Sequence, residues 1–587
     1  MTDQPGLSGQ NGPDKKSELV FVALGGLGEI GMNVYLYGVG PKKQRKWLMV
    51  DLGLTFPSEA EPGVDIVLPD LEFIEECLKD LVGIVITHAH EDHIGAVIDL
   101  WPDLKVPIFA TPFTAGMLRA KTQEYGVRIK LPITTVPLGG RFNVGPFDIE
   151  MVTLAHSIPE PSGLAIRTEH GMIFHTGDWK LDSTPLIGEP SDDKKLQALG
   201  LEGVKALMCD STNAMREGRS PSEVEISQSL IKIIKGAKKR VAVTTFASNV
   251  ARIRAVADAA EATGRKLVVV GRAMHRVIAV AMETGYLPAD FKYLDQQQFG
   301  YIDNANVLLL LTGSQGESRA ALARVADDEH PAVSLTKGDL VIFSSRTIPG
   351  NEKAVSKVQN ALVDQGVEVL TDADALVHVT GHPRRDELRQ MFEWMKPEIV
   401  IPMHGESRHL AANAKLALAC GVKEAPVLKC GQMIRLAPGP VSVIDKVQTG
   451  RLYRDGKMIV PSIDGPVSER RKLSFVGLVA VSIVVDGKGQ LLAEPDVAID
   501  GVPFETDDGY AMEDVCLDAI EGTFKSVPPA KRRDIELMRD AVKRSVRAAV
   551  DQIWGKKPIV KVLMTVIGQQ PGKSPGKPAG KPMGGKR

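Results

Sequence analysis

Short apolar runs separated by glycine-rich and charged segments dominate the first 210 residues. Residues 19–24, 47–50 and 83–86 are continuous apolar stretches, the pattern of strands buried on both faces. Residues 148–153, 164–168, 172–175 and 204–209 continue the series, with a turn at Glu169-His170-Gly171 joining two of them. Helical spacing is expected near 71–81 and from 94 onward. From 220 the rhythm changes. Ser220-Pro221-Ser222-Glu223 reads as a capping box with Pro221 in the first turn. The helix it opens should turn Ile226, Leu230, Ile233 and Ile234 inward. Strands at 241–245, 266–270, 307–311 and 340–344 then alternate with helices at 249–263, 273–284 and 352–364. Such alternation predicts a parallel sheet with helices on its faces.

The last third repeats the theme on a smaller scale. Residues 450–466 carry Gly456, Pro461 and Gly465 and read as a linker. A basic run, Ser468-Glu469-Arg470-Arg471-Lys472, precedes a strand at 478–485. Helices near 512–524 and 529–554, the second basic, lead to a strand at 559–567. Both termini, 1–17 and 569–587, are rich in Gly and Pro and read as disordered; the second is basic.

Composition narrows the class. The chain has 587 residues, 43% hydrophobic and 25% charged, with a net charge of −2. That is a globular, multidomain composition, and any nucleic-acid partner would have to be held by local basic patches and not by a global field. No apolar run approaches the ~20 residues needed to span a bilayer, and the N-terminus has no secretory signal. Cys77, Cys209, Cys420, Cys430 and Cys516 are scattered without a C-x-x-C, which predicts a reducing cytoplasmic location.

The chemistry concentrates in Thr87-His88-Ala89-His90-Glu91-Asp92-His93. Three imidazoles and two carboxylates at a strand end make a poor core, because each costs free energy when buried without a partner. Turned onto one point, they suit Zn²⁺, which takes His nitrogen and carboxylate oxygen. Gly26-Leu27-Gly28-Glu29-Ile30-Gly31, with Asp51 downstream, mimics a dinucleotide-binding fingerprint. No crossover helix fits between Asn33 and Pro41, so the segment reads as a hairpin. His170 reads as a turn residue, and His175, facing away from Asp178 if its strand continues, as a support to the ligands or a structural residue.

The H-x-H-x-D-H spacing resembles the metallo-β-lactamase superfamily. Ala155-His156-Ser157, Thr176-Gly177-Asp178-Trp179-Lys180 and Pro402-Met403-His404-Gly405-Glu406 follow in that family's order. By resemblance, one zinc has His88, His90 and His156, the other has Asp92, His93 and His404, and Asp178 bridges them; Mn²⁺ or Mg²⁺ could substitute. The α/β insertion before His404 resembles the β-CASP nucleases, with Asp210 and His382 matching two of their motifs. Leu24–Gly31, Gly313-Ser314-Gln315-Gly316-Glu317 and the run from Ser344 to Glu352 resemble bacterial ribonuclease J across residues 18–560. Thr380 stands where that pattern has serine, and Pro383-Arg384-Arg385 is unusually basic.

The resemblance implies an α/β chain built as a metallo-β-lactamase αββα sandwich (18–210 and 373–449). Into it are set a β-CASP domain (211–372) and, after the linker, a small C-terminal domain (467–568). It implies a zinc-dependent ribonuclease acting 5′ to 3′ on single-stranded RNA with a 5′-monophosphate, with endonuclease activity besides, in RNA decay and rRNA or mRNA maturation. Asp92 and Asp178 would orient the nucleophile, and His382, held by Asp210, would stabilise the leaving group. Ser314, Gly316, Ser344, Ser345, Arg346, His378, Thr380, Gly381 and His382 are the candidates for a terminal-phosphate pocket. Phe56 and Phe246 are candidates for base stacking. A homodimer or homotetramer through the C-terminal domain, RNA-decay partners and no membrane association complete the expectation. The basic tail would add RNA affinity or serve only as a solvated end. Rival readings are a small-molecule metallo-hydrolase, an RNA 3′-end or DNA-repair endonuclease of the same superfamily, and an RNA-binding scaffold without catalysis.

Overall fold

The computed structural model describes residues 16–126, 129–463 and 465–568. The basic tail and all of the N-terminal segment except Lys16 and Ser17 lie outside them. The described residues form two units: 16–56 with 65–454, and 57–64 with 455–568.

In the larger unit two sheets face each other. The first has eight strands and the second six. Strand Glu18–Gly25 shows why they stack. Leu19, Phe21 and Ala23 point to the second sheet and join Ile149, Leu164, Ile173, Met208 and Ile401 in one core. Val20, Val22 and Leu24 point the other way and meet helices Val97–Leu104 and Pro112–Glu124. A strand buried on both faces needs no polar side, and its sequence has none after Glu18. Helices Asp193–Glu202, Arg385–Met395 and Ser407–Ala419 cover the outer face of the second sheet. The glycine-rich fingerprint is a hairpin turn, as expected: Val34–Gly40 pairs antiparallel with Glu18–Gly25.

The inserted region leaves from Val204–Asp210 and returns on Ile399–Met403. These two strands are parallel neighbours, with Asp210 opposite Met403. The excursion therefore leaves the sheet unbroken and ends with Asp210 and His404 side by side. Between them lies a third sheet of six parallel strands, including Val241–Thr244, Lys266–Val270, Val307–Leu311 and Leu340–Phe343. Helices cover both faces.

Three expectations change. The helix cap is Ser222, closing a box with Glu225, because Ser220 N–H donates to Glu387 and Glu223 is taken by Arg252. The helix expected over 71–81 is one turn, Glu72–Glu76, with a 3-10 turn after it, and Leu81 already belongs to the next strand. Residues expected as linker from 450 form strand Arg451–Asp455, whose residues 451–454 pair antiparallel with Ile66–Pro69.

The smaller unit has a three-stranded sheet with Leu478–Asp486 in the centre, Asp496–Asp500 and Ile559–Ile567 at its edges. Helices Met512–Ser526 and Ile535–Trp554 bury Val515, Ile520, Val542 and Val546 against one face. Among the described residues no helix is long and apolar enough to cross a membrane.

Candidate metal centre

Strand Leu81–Val85 ends at an extended segment carrying His88 and His90, and the one-turn helix Glu91–Ile94 then swings Asp92 and His93 inward. Strand Phe147–Thr153 delivers His156, Gly171–His175 delivers Asp178, and Ile399–Met403 delivers His404. These strand ends converge. His88, His90, His156 and Asp178 offer one donor atom each within 4.8 Å of one another, and so do Asp92, His93, Asp178 and His404. Asp178 belongs to both sets. Its Oδ2 lies 3.3 Å from His93 Nε2, 3.4 Å from His404 Nε2 and 3.7 Å from His88 Nε2.

Four of the five rings are oriented from behind. Nδ1 of His93 lies 2.7 Å from Asp51 Oδ2, and Nδ1 of His404 lies 3.0 Å from Asn33 Oδ1. Nδ1 of His88 is 3.0 Å from Thr87 Oγ1, and Nδ1 of His156 is 2.6 Å from the Gly381 carbonyl. All four leave Nε2 to face the centre, while His90 turns Nδ1 there, 3.0 Å from His88 Nε2 and 3.1 Å from His156 Nε2. Rings locked in this way and converging on one carboxylate are the arrangement metal ligands adopt. Oδ1 of Asp178 is buried without a hydrogen-bond partner, an expensive state unless a cation takes it. The donor set fits zinc. His404 sits at φ 51°, a left-handed conformation, at the turn that aims its ring.

Burial pushes His88 and His156 well below the ordinary imidazole range and His90 down to about 4, so these rings are neutral donors. Burial also pushes His382 down, but the Asp210, Asp178 and Asp92 carboxylates outweigh it and lift the ring to about 9. Nδ1 of His382 is 2.7 Å from Asp210 Oδ2 and 3.9 Å from Asp178 Oδ2, so the pair flanks the cluster.

The phosphate-pocket candidates at 314–316 and 344–346 follow strands of the third sheet, and Thr380, Gly381 and His382 lie beside the cluster, with mixed availability. Oγ of Ser344 donates to Val377 O at 2.6 Å and also meets Arg252, so it fastens the loop and is not free to bind an anion. The Gly316 N–H is committed to Gly313 O at 3.2 Å. A side chain at Gly316 would strike the Ala354 backbone, which explains the glycine. Ser345 Oγ reaches Ser314 O at 3.5 Å, linking those two loops. Arg346 pairs with Asp372 at 3.2 Å. His378 has a buried Nδ1 without a partner, and burial with the Arg252 and Arg346 charges holds its pKa well below the usual range. Thr380 Oγ1 accepts from Asn213 at 2.8 Å and from the His382 N–H at 3.2 Å, steadying the His382 turn. Of the aromatics, Phe56 is exposed and Phe246 half-buried.

The sequence reading missed Asn33, Thr87, Gln315 and Arg252, and took Asp51 only as part of a false fingerprint. Asp51 also accepts from the Thr87 N–H at 2.8 Å and from Thr87 Oγ1 at 2.9 Å. A charged residue in the left-handed region at a strand end, φ 61° here, is its only local peculiarity. Gln315 Oε1 accepts from the Ile348 N–H at 2.8 Å and its Nε2 donates to Arg346 O, pinning the loop that carries Arg346. His175 is buried between the sheets with Tyr37 Oη 2.8 Å from Nδ1, and His170 lies in its turn beside Ser17, both as expected.

An αββα sandwich with this cluster at its strand ends defines a metal-dependent hydrolase of the metallo-β-lactamase class. Residues 60–244 match the beta-lactamase superfamily domain, and 366–424 match the Zn-dependent metallo-hydrolase RNA specificity domain. Residues 238–362 match the ribonuclease J beta-CASP domain, and 465–567 match the ribonuclease J C-terminal domain. Ribonuclease J of Sinorhizobium meliloti is 52% identical, covering 94% of this chain and 98% of its own. Ribonuclease J of Corynebacterium glutamicum is 38% identical over 92% of this chain and 74% of its own. A crystal structure of a protein of unknown function from Enterococcus faecalis, 17% identical, covers 71% of this chain and all of its own at a TM-score of 0.50, a likeness of fold. The chain belongs to the ribonuclease J family, and it is a metal-dependent ribonuclease.

Proposed function

We propose that the chain hydrolyses single-stranded RNA from the 5′ end at a centre of two zinc ions, favouring 5′-monophosphate ends, with internal cleavage as a second activity. The observation that carries this reading is the convergence of both donor sets on Asp178, with the His382–Asp210 pair beside it. His88, His90 and His156 would hold one ion, Asp92, His93 and His404 the other, with Asp178 between them; Mn²⁺ or Mg²⁺ would be tolerated by the carboxylates. When bound, the ions supply Lewis acidity toward a phosphoryl oxygen and lower the pKa of water.

The rest falls to the protein. Asp92 and Asp178 orient the attacking water in line with the scissile phosphorus. His382, fixed through Nδ1 by Asp210, presents its other nitrogen to the phosphoryl oxygen or the departing O3′. Ser345, Arg346, His378 and the Ser314 loop surround the terminal phosphate, while Ser344 and Gly316 shape the wall. The terminal phosphate then fixes which phosphodiester reaches the centre, which is what makes the enzyme directional. Strand Ile559–Ile567 is a sheet edge with Leu563 66% and Ile567 55% exposed, which supports self-association through the C-terminal unit. The five cysteines are free, in keeping with a cytoplasmic location among RNA-decay partners.

The test is one RNA sequence prepared with 5′-monophosphate, 5′-triphosphate and 5′-hydroxyl ends and labelled at the first nucleotide. Release of labelled mononucleotide mainly from the monophosphate form is expected. Internal fragments at equal rates from all three would remove the end-sensing pocket, and hydrolysis confined to small esters would remove RNA as the substrate.

A further inference from the structure

Two basic segments of the C-terminal unit, far apart in sequence, meet at one groove. It measures about 590 Å³ and is lined by Arg471, Lys472, Phe475, Arg547, Lys557 and Ile559 among others. The first group comes from helix Pro466–Val476, Arg547 from helix Ile535–Trp554, and Lys557 and Ile559 from the turn into the last strand.

Phe475 is the unusual member. It is 68% exposed, whereas Phe524 of the neighbouring helix Met512–Ser526 is buried. Lys556 sits behind it: Nζ lies 4.7 Å from the Phe475 ring centre and 5.0 Å from the Trp554 ring, and donates to Phe475 O at 3.3 Å. The cation covers part of the ring and leaves the remainder open to solvent. Around it, Lys472 and Arg547 are exposed and make no ion pair among the described residues. Asp551 offsets only Lys557, at 3.6 Å. An exposed aromatic face framed by uncompensated cations matches what single-stranded nucleic acid requires: a stacking platform for a base and positive charge for the flanking phosphates.

We propose that this groove is a second RNA-binding site, taking a single-stranded segment with one base on Phe475 and the phosphates on Arg471, Lys472, Arg547 and Lys557. The identity of the ligand rests on the ribonuclease reading. Charge complementarity selects RNA over a second copy of the chain, since a like copy would bring the same cations face to face.

The experiment uses the full chain in chelator with a fluorescein-labelled 20-nucleotide oligouridine bearing a 5′-hydroxyl, followed by anisotropy across a salt series. Phe475→Ala should weaken binding about tenfold. Lys472→Ala with Arg547→Ala should lower the slope of log affinity against log salt by about 0.7 for each phosphate that the variant no longer neutralises. The same variants, loaded with zinc, should hydrolyse a 5′-phosphorylated tetranucleotide at the wild-type rate. Wild-type affinity and slope in the variants would overturn the proposal. So would a variant that loses RNA only by dissociating, with binding restored at concentrations where light scattering shows the wild-type mass; the groove would then be an interface between copies. Failure of the wild type itself to hydrolyse the tetranucleotide would instead count against the catalytic reading, independently of the groove.

Discussion

Nδ1 of His156 lies 2.6 Å from the carbonyl oxygen of Gly381, one residue before His382. This contact ties a histidine of the metal cluster to the turn that carries the histidine beside it. It also explains the glycine. A Cβ at position 381 would lie 2.3 Å from His156 Cε1 and 2.4 Å from its Nδ1. Gly381→Ala should therefore displace the His156 ring, lowering turnover by about 10², the scale of a misplacement near 1 Å. Bound zinc, measured by elemental analysis, should fall with it; an unchanged metal content and rate would show that the turn yields freely.

His382 and Asp210 should separate from the ligands when mutated. If His382 donates to the reacting phosphate as proposed, His382→Ala should cost about 10²–10³ in kcat, while the metal content stays that of the wild type. Single-turnover kinetics beside metal analysis checks this. Loss of metal with activity would make His382 structural. Asp210→Asn, which keeps the shape but weakens the hold on Nδ1, should fall between the two.

Asp51 reaches the centre only through other groups. Its carboxylate holds His93 Nδ1 and both donors of Thr87, which in turn touches His88. Asp51→Ala should weaken zinc affinity about 10–100-fold, the usual effect of removing a partner of a ligating histidine. Competition with a chromophoric chelator measures it directly, and raised zinc should restore most of the activity.

Arg252 should matter for stability. It is fully buried, 2.8 Å from Glu223 Oε2, and donates to Val377 O at 2.7 Å. Lys180 lies on the other side, 2.9 Å from Asp182 and 3.8 Å from Glu223 Oε1. Arg252→Ala leaves Glu223 only the longer Lys180 contact and should cost about 3 kcal/mol, read from denaturant unfolding. Replacing Glu223 by Gln at the same time should recover part of the loss.

What the sequence revealed depended on distance along the chain. His88 to His93 announce themselves because the clustering is local, and the uninterrupted apolar run of Val307–Leu311 leaves only one reading as a strand. Asp178 and His404 were placed by likeness to a family, since no local rule joins them. Asn33, Asp51 and Arg252 are single polar residues whose partners lie far along the chain, so nothing beside them in sequence marks their role. Strand Arg451–Asp455 was hidden for the same reason. Its partner, Ile66–Pro69, lies far earlier in the chain and follows a Pro- and acid-rich stretch with no strand pattern. Ser344 and Gly316 show the converse: a plausible anion-binding sequence whose donors are already spent on the protein.

The most direct test of the metal centre is the zinc content and RNA cleavage of the wild type and Asp178→Ala, each purified without added metal. A shared carboxylate requires two zinc ions per wild-type chain, and a substantial loss of metal with no cleavage in the variant. Undiminished cleavage by Asp178→Ala, or by wild type stripped of metal, would contradict a hydrolytic centre built on Asp178.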